Sequence, residues 1–268
     1  MAYSIYATIN QQGASDKYRY AKHSGRRFLP SIKRVICGVW AGVFLLCAPL
    51  GAQTPVGGTD EKAQASRAYN PVYPYEALIA ARGGWAEISF TVDYTGRAIL
   101  PSTVAASDAA YASAFQADIE AIEYITPRRN GRPIMSQLKE RFDFPAQPVL
   151  DAIAREILTD LRRPKPAIYS VADLDKKPEP IRQPKSAYPW ILRSDNMSGE
   201  AEIEFVIDRN GRPLFPRVVS ATQSDFGWAA ASAILRWRYQ SPIKNGVKVD
   251  VRITEKVVFD INKSADMW

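Results

Sequence analysis

Ala86, Ile88, Phe90 and Val92 alternate with Glu87, Ser89 and Thr91, a period of two that predicts a strand with one buried and one wet face. Ala201, Ile203, Phe205 and Ile207 repeat this pattern against Glu200, Glu202 and Glu204. Asp93-Tyr94-Thr95-Gly96 and Asp208-Arg209-Asn210-Gly211 follow as hairpin turns in which glycine supplies positive φ. The returning strands run through Val104 and Val219, and Pro101, Pro213 and Pro216 make them irregular or peripheral. Helical spacing comes next: Phe115, Ile119 and Ile122 share one face, as do Phe226, Ala230, Ala233, Ile234 and Trp237. Ser107 and Ser224 stand where N-caps are expected. Asn130-Gly131 and Asn245-Gly246 then reverse the chain into a last strand, and Val249, Val251, Ile253, Val257, Phe259 and Ile261 mark one face of the second of these. Before each first strand, Tyr73-Pro74 and Tyr188-Pro189 open a short helix, with proline at a position where its missing N–H costs nothing.

These two series stand 115 residues apart without a gap over about 72 positions. Tyr73-Pro74, Gly84, Phe90, Asp93, Gly96-Arg97, Val104, Tyr124, Pro127, Asn130-Gly131, Glu140 and Phe144 meet identical residues at Tyr188-Pro189, Gly199, Phe205, Asp208, Gly211-Arg212, Val219, Tyr239, Pro242, Asn245-Gly246, Glu255 and Phe259. The order helix, two strands, helix, strand predicts an α+β unit with a three-stranded antiparallel sheet and two helices, present twice. A unit of this size buries a modest core and gains from a neighbour. The expected organisation is an N-terminal segment at 1–52, a flexible linker at 53–68, a first domain at 69–146, a helix and Pro-rich connector at 147–186, and a second domain at 187–263. Within the connector, Ile153, Ile157, Leu158 and Leu161 predict a helix over 151–161, and five prolines between 162 and 185 predict extended chain.

Nearly all of the net charge of +7 belongs to the N-terminal segment. Residues 1–52 carry seven Lys/Arg and one acid, which leaves 28 basic against 27 acidic residues beyond them. That balance gives no support for a nucleic-acid-binding face. Residues 35–52 form an uncharged apolar run directly after Lys33-Arg34, and Pro49 and Gly51 break it just before Ala52. A positive flank, an apolar stretch and small residues at its end describe an export signal; the run is also nearly long enough for a membrane anchor, and cleavage is the favoured reading. Leu46 before Cys47 argues against a lipoprotein anchor.

Cys37, Cys47 and His23 all lie in the N-terminal segment, so the chain beyond residue 52 has no cysteine and no histidine. Disulfides, thiolate nucleophiles, Ser-His-Asp triads and Cys/His zinc sites are excluded there. Glu140 and Glu255 sit on separate units, so they cannot converge on one substrate, and a solvated sheet-end position is expected for both. Asp93 and Asp208 are expected to bond their own turn backbone and not a metal. Trp237 shares a helix face with Ile234 and is expected in the core; Arg236 and Arg238 beside it are expected on a solvated surface, with contact to an anionic partner as the alternative. No catalytic residue, metal site or cofactor is expected, which argues against an enzyme.

The ordered set Tyr-Pro, Gly-x-x-x-apolar-x-Phe-x-apolar-Asp-x-x-Gly-Arg, Trp-Arg-Tyr-x-x-Pro and an alternating last strand resembles the TonB C-terminal domain. The second copy carries it most fully, through Gly199–Asp208, Leu235-Arg236-Trp237-Arg238-Tyr239 and Pro242, with the lead-in Leu174-Asp175-Lys176-Lys177-Pro178. In the first copy Ile122 and Glu123 replace the Trp-Arg pair. The resemblance implies tandem TonB C-terminal-like domains in a periplasmic protein. It implies a partner, the peptide segment of an outer-membrane receptor or another envelope protein, bound by pairing with a sheet edge. It further implies an inner-membrane, proton-driven motor complex as a second partner. The stretch before Tyr-Pro, Ile181-Arg182-Gln183-Pro184 in the second copy and Arg67-Ala68-Tyr69-Asn70 in the first, is where the resemblance places the peptide's approach. The last strand, with Val251, Ile253, Val257 and Phe259, is the other candidate edge. Two such edges also allow pairing within the chain or in a homodimer.

Three departures stand beside the resemblance. The apolar segment has no histidine, the linker at 53–68 is far too short to cross a periplasm at about 3.3 Å per extended residue, and two units replace one. Two functions therefore remain open: an envelope protein in energy-coupled transport, and an exported structural or adaptor module without energy transduction.

Overall fold

The computed structural model describes residues 61–263; the expected export signal or anchor and the first part of the linker lie outside them. The chain opens with β1 (Gln64–Ala65), α1 (Tyr75–Ile79), β2 (Gly84–Val92) and β3 (Ala98–Ala106). It continues through α2 (Ala109–Glu120), the short strands β4 (Tyr124–Ile125), β5 (Arg128–Arg129) and β6 (Arg132–Pro133), and β7 (Ser136–Phe144). Helix α3 (Ala152–Leu161), β8 (Tyr169–Ser170) and β9 (Pro180–Arg182) form the connecting region. Then come α4 (Trp190–Ser194), β10 (Gly199–Ile207), β11 (Pro213–Ala221), α5 (Ser224–Ile234), β12 (Arg238–Tyr239), β13 (Ile243–Lys244), β14 (Val247–Lys248) and β15 (Val251–Phe259).

The long strands pair as β3-β2-β7 and as β11-β10-β15, all antiparallel. β2 meets β7 along all nine residues from Gly84↔Phe144 to Val92↔Ser136. β10 meets β15 along all nine from Gly199↔Phe259 to Ile207↔Val251. Both peripheral strands are irregular, as their prolines predict: each has two register shifts, and Leu100 and Phe215 adopt φ of 53° and 52°. Each expected Asn-Gly reversal has positive φ at both residues (Asn130 52°, Gly131 76°; Asn245 50°, Gly246 75°), the form that matches strand twist.

Asp93 and Asp208 take the turn role. Asp93 Oδ1 accepts from the backbone N–H groups of Thr95 at 2.8 Å and Arg97 at 3.0 Å. Asp208 Oδ1 accepts from Asn210 at 2.9 Å and Arg212 at 2.8 Å, and the Arg212 Nε donates to Oδ2 at 2.7 Å. The glycine that closes the second turn is locked: Gly211 has φ +78°, and an added Cβ would stand 1.9 Å from the Tyr239 carbonyl oxygen. Gly246 has a similar φ of +75° but open space around it. Gly211→Ala is therefore expected to destabilise the protein by more than about 2 kcal/mol, combining left-handed strain with overpacking, while Gly246→Ala costs only the strain of about 1–2 kcal/mol. Paired urea melts check the difference.

The N-cap expectation needs correction. Asp108 caps α2, accepting from the Ala110 N–H at 2.9 Å, while Ser107 exchanges hydrogen bonds with the Trp85 backbone. The residue at the α5 N-cap is Gln223, without a side-chain bond, and Ser224 is already helical. The end of the expected flexible linker is held in place, since Gln64 and Ala65 pair with Ile125 and Tyr124. The Pro-rich connector is likewise ordered, through β8, a 3-10 turn at Val171–Asp173 and β9.

Two cores form. One gathers Leu78, Ile88, Phe90, Phe115, Ile119, Tyr124 and Phe144, and the other gathers Ile203, Phe205, Phe226, Ile234, Trp237 and Phe259. They do not stay separate. Val206, Leu214 and Phe215, from the outer face of β10 and from β11, join the first core with Ile157, Leu158 and Leu161 of α3. Strand β10 is therefore exposed only at Glu200 and Glu202, and Val206 is 2% exposed. Helix α2 packs on α5, α1 touches β11, and α4 touches β3. Each short helix thus leans on the peripheral strand of the other sheet, which leaves β7 and β15 at the far edges. Polar contacts fix α3: Asp151 caps it at the Ala154 N–H, Arg212 pairs with Asp151, and Arg162 donates to the carbonyls of Leu78 and Ile79. Among the described residues no helix is long and apolar enough to cross a membrane.

Candidate partner-binding edge

β15 forms an edge because its length exceeds the strand that covers it. β8 pairs with it in parallel only at Val251↔Tyr169 and Arg252↔Ser170. Among the described residues, β15 pairs only with β10 from Ile253 to Phe259. The covering strap is anchored beside that edge. Lys244 Nζ lies 4.1 Å from the Tyr169 ring centroid, and Ser170 and Asp173 close a capping box. The Asp175 carboxylate accepts from the N–H groups of Asn245 at 2.9 Å and Gly246 at 3.1 Å; these bonds hold its pKa below the usual carboxylate range. Lys177 then pairs with Glu255 at 3.0 Å.

The segment Ile181-Arg182-Gln183-Pro184 lies close by, but it is already engaged. Pro180 and Arg182 of β9 pair with Tyr239 and Arg238 of β12. The Gln183 amide donates to the Tyr239 hydroxyl at 3.4 Å, and the Trp237 Nε1 donates to the Pro184 carbonyl at 3.1 Å. Burial holds the Tyr239 phenol well above its usual pKa, with the Gln183 bond opposing the shift. Ile181 projects outward at 69% exposure. Between this segment and β15 runs a groove of about 510 Å³, bordered by Gln183, Pro184, Tyr188, Trp237, Lys256 and Val258.

The structure places the sequence-derived residues of β15 on the inner face. Val251, Ile253 and Phe259 are buried in the second core, with Val257 half-buried beside them. Phe259 stacks on Phe226 at 4.5 Å. Their side chains are unavailable to a partner, and only their backbone can pair. The outward side chains are Arg252, Thr254, Lys256 and Val258, the last at 65% exposure. The period of two already assigned the faces, and applying it to the edge strand would have found these four. In the first unit, Arg67 pairs with the buried Asp118 at 2.7 Å, the Asn70 N–H donates to the same carboxylate at 2.6 Å, and Tyr69 is in the core. That stretch is structural. Burial raises the Asp118 pKa against the pull of Arg67.

Two further readings change. Glu140 and Glu255 are not at sheet ends: they oppose Ile88 and Ile203 in mid-strand, half-buried, and burial raises the Glu140 pKa. Trp237 is core, as its spacing predicts, at 7% exposure. Its neighbour Arg236 is not a solvated surface residue; it reaches the Ala121 carbonyl at 3.4 Å. Arg238 is exposed.

Residues 184–261, from the lead-in proline through the whole of β15, match the family model described as Gram-negative bacterial TonB protein C-terminal. The match spans less than a third of the chain. The solution NMR structure of the Pseudomonas aeruginosa TonB CTD aligns with 35% of this chain and 94% of its own length, at 22% identity and a TM-score of 0.29. No curated protein matches the chain. Within the TonB C-terminal match lie the edge strand, the groove and the Trp237–Tyr239 segment that backs it.

Proposed function

We propose that this chain is an exported, non-enzymatic TonB-like protein of the periplasm that receives an extended peptide of an outer-membrane receptor, or of another envelope protein, on the edge of β15. The carrying observation is that, among the described residues, β15 has nine residues paired on one side and two on the other. A strand added from Ile253 onward gains main-chain hydrogen bonds, and the outward Thr254, Lys256 and Val258 select its side chains. The groove beside Gln183 and Pro184 gives such a peptide a wall to lie against. Binding of this kind requires no catalytic group. The reading extends to energy-coupled transport through the family, with a proton-driven motor complex as the inner-membrane partner.

Peptides carrying receptor box sequences, titrated into the full chain, are expected to shift the backbone amides of Ile253–Phe259 and to leave those of the mid-sheet strand β2 unmoved. Lys256→Pro, which removes a ladder donor, is expected to abolish the shifts while α5 resonances persist. No shift along β15 at saturating peptide rejects receptor binding at this edge.

The first unit supports a second reading. Its strands, turns and lead-in pairing stand 115 residues before their counterparts, Ala65↔Tyr124 matching Pro180↔Tyr239. We read it as a second copy of the same fold, in tandem, whose packing through α2 on α5 makes an adaptor body. An exported adaptor without energy transduction follows if the segment before it is removed. N-terminal sequencing of the mature protein separates the two: a start at Gln53 supports the adaptor, and an intact N-terminus supports the transducer.

A further inference from the structure

The two sheets correspond strand by strand at a spacing of 115 residues, from β2 and β10 to β7 and β15. One surface breaks the correspondence. On the second sheet, the hairpin that joins β10 to β11 holds α3: Arg212 pairs with the N-cap Asp151, and Arg209 pairs with Glu156 of the helix at 3.0 Å. The Arg209 N–H also donates to Asp250, the residue before β15, at 2.7 Å. Beside this hairpin, Val206, Leu214 and Phe215 are buried in the core that Ile157, Leu158 and Leu161 of α3 share. The matching positions on the first sheet are Thr91, Ile99 and Leu100, with Tyr94 in place of Arg209 and Met135 in place of Asp250. Helix α3 follows β7; after β15 the described residues hold only a 3-10 turn at Ile261–Lys263.

Tyr94, Leu100 and Met135 gather at one end of the first sheet. Val92 pairs with Ala98 on one side and Ser136 on the other; Tyr94 stands two residues after Val92, Leu100 two after Ala98, and Met135 directly before Ser136. They are 59%, 52% and 42% exposed. Single apolar residues on a surface need no explanation, but a group of them at one place does. The polarity here is the reverse of what solvation favours: the covered hairpin carries the charged pair Arg209 and Asp250, and the uncovered one carries Tyr94 and Met135. Backbone strain points the same way. Phe215 holds a left-handed φ of 52° and is buried at 4%, so its packing offsets the strain. Leu100 holds the same conformation at 53°, one that leucine disfavours, without that burial. Strain of this kind persists where a function uses it.

We propose that Tyr94, Ile99, Leu100 and Met135 form a docking surface for an amphipathic helix of another protein. The covered counterpart defines the partner's chemistry: apolar residues at the spacing of Ile153, Ile157, Leu158 and Leu161 in α3, laid on the hairpin end of the sheet. An acid at the position of Glu156 is not required, because Tyr94 stands where its partner Arg209 would be. A second copy of this chain has no such helix to spare among the described residues. Helix α3 buries Ala154, Ile157, Leu158 and Leu161 at home, α2 and α5 bury most of their apolar residues, and α1 and α4 have five residues each. The surface is separate from the β15 edge and stands or falls without it.

A hydrocarbon-stapled peptide with the sequence of residues 150–163 is the probe, because α3 is the helix held at the corresponding hairpin. Titrated into the full chain, it is expected to give saturable shifts of the Leu100 amide and the Met135 methyl group, with Ile253–Phe259 unmoved. Leu100→Asn is expected to weaken binding roughly tenfold or more, the scale of one leucine lost from a buried contact. The same variant is expected to raise the melting temperature of the peptide-free protein, because asparagine tolerates left-handed backbone. A leucine kept for the fold alone would lower it. Met135→Ser is expected to weaken binding with the melting temperature unchanged, and a probe carrying Ile157→Glu and Leu161→Glu is expected not to bind. No shift at the highest soluble peptide concentration overturns the proposal, as does Leu100→Asn binding as tightly as the parent. Shifts at Leu214 and Phe215 would mean that the probe displaces α3, and also overturn it. Binding seen only after removal of residues 264–268 would assign the surface to that segment, and a peptide-free dimer closing on Leu100 would assign it to a second copy; either result rejects a partner helix.

Discussion

Phe226→Ala is expected to lower the unfolding free energy by about 3–5 kcal/mol, the range for emptying an aromatic site in a close-packed core. Phe226 is fully buried. Its ring stacks on Phe259 at 4.5 Å and meets Tyr188 edge-on at 5.6 Å, and Tyr188 in turn meets Phe259 at 5.7 Å. This triangle joins α5 to the end of β15 and to the lead-in of α4. Gly199 presses against the same ring, since an added Cβ there would stand 2.5 Å from it. A backbone so close on one side and two rings on the others leave little room for collapse into the void. Urea unfolding at constant m-value checks the loss. A change of less than about 1 kcal/mol would mean that the site refills, and that the triangle does not hold β15 in place.

Glu120→Gln is expected to flatten the pH dependence of stability between pH 4.5 and 8. The Glu120 pKa rises from 4.5 to about 8, chiefly through burial, with Asp225 adding to the rise and the Trp190 N–H opposing it. Below pH 4.5 the folded and unfolded states both carry the proton, and stability is full. As pH rises, the unfolded chain releases its proton while the folded protein keeps it, so stability falls. The loss is complete once pH passes the folded value. At about 1.36 kcal/mol per unit, it is on the order of 5 kcal/mol by pH 9. The charges around the group are those of Arg97, Glu123, Lys185, Arg193 and Arg236, which line one cleft with it, and Asp225 on α5. Glutamine keeps the acceptor for Trp190 and cannot ionise, so the variant is expected to be the more stable at pH 9 and nearly equal at pH 4. Denaturant melts of both proteins across this range give the difference directly, and parallel curves would disprove the assignment.

Much of the fold was legible because its signals are local. Alternation in Ala86–Val92 and Ala201–Ile207 needs only the pleat of a strand, and Asn130-Gly131 and Asn245-Gly246 need only the φ preferences of two residues. Other readings failed where one side chain had several local uses. Ser107 was expected to cap a helix and instead bonds Trp85 across the hairpin, while Asp108 next to it caps. The last strand was named through its buried residues, whereas its exposed alternates Thr254, Lys256 and Val258 face outward. Ile181–Pro184 was read as the place of a partner peptide's approach, and the sequence does not show that Tyr239 and Trp237 hydrogen-bond to it.

By itself the sequence determined the elements, the 115-residue spacing, the absence of histidine and cysteine beyond residue 52, and the resemblance that the 184–261 match bears out. Only the tertiary structure decided which faces are dry and which charges meet. Val206 looks like a wet-face position until it joins the first core, and Arg236 looks like a surface cation until it meets the Ala121 carbonyl. Periodicity records what a residue's neighbours in the chain require. Burial at a junction depends on residues more than a hundred positions away, and desolvation is a property of that meeting.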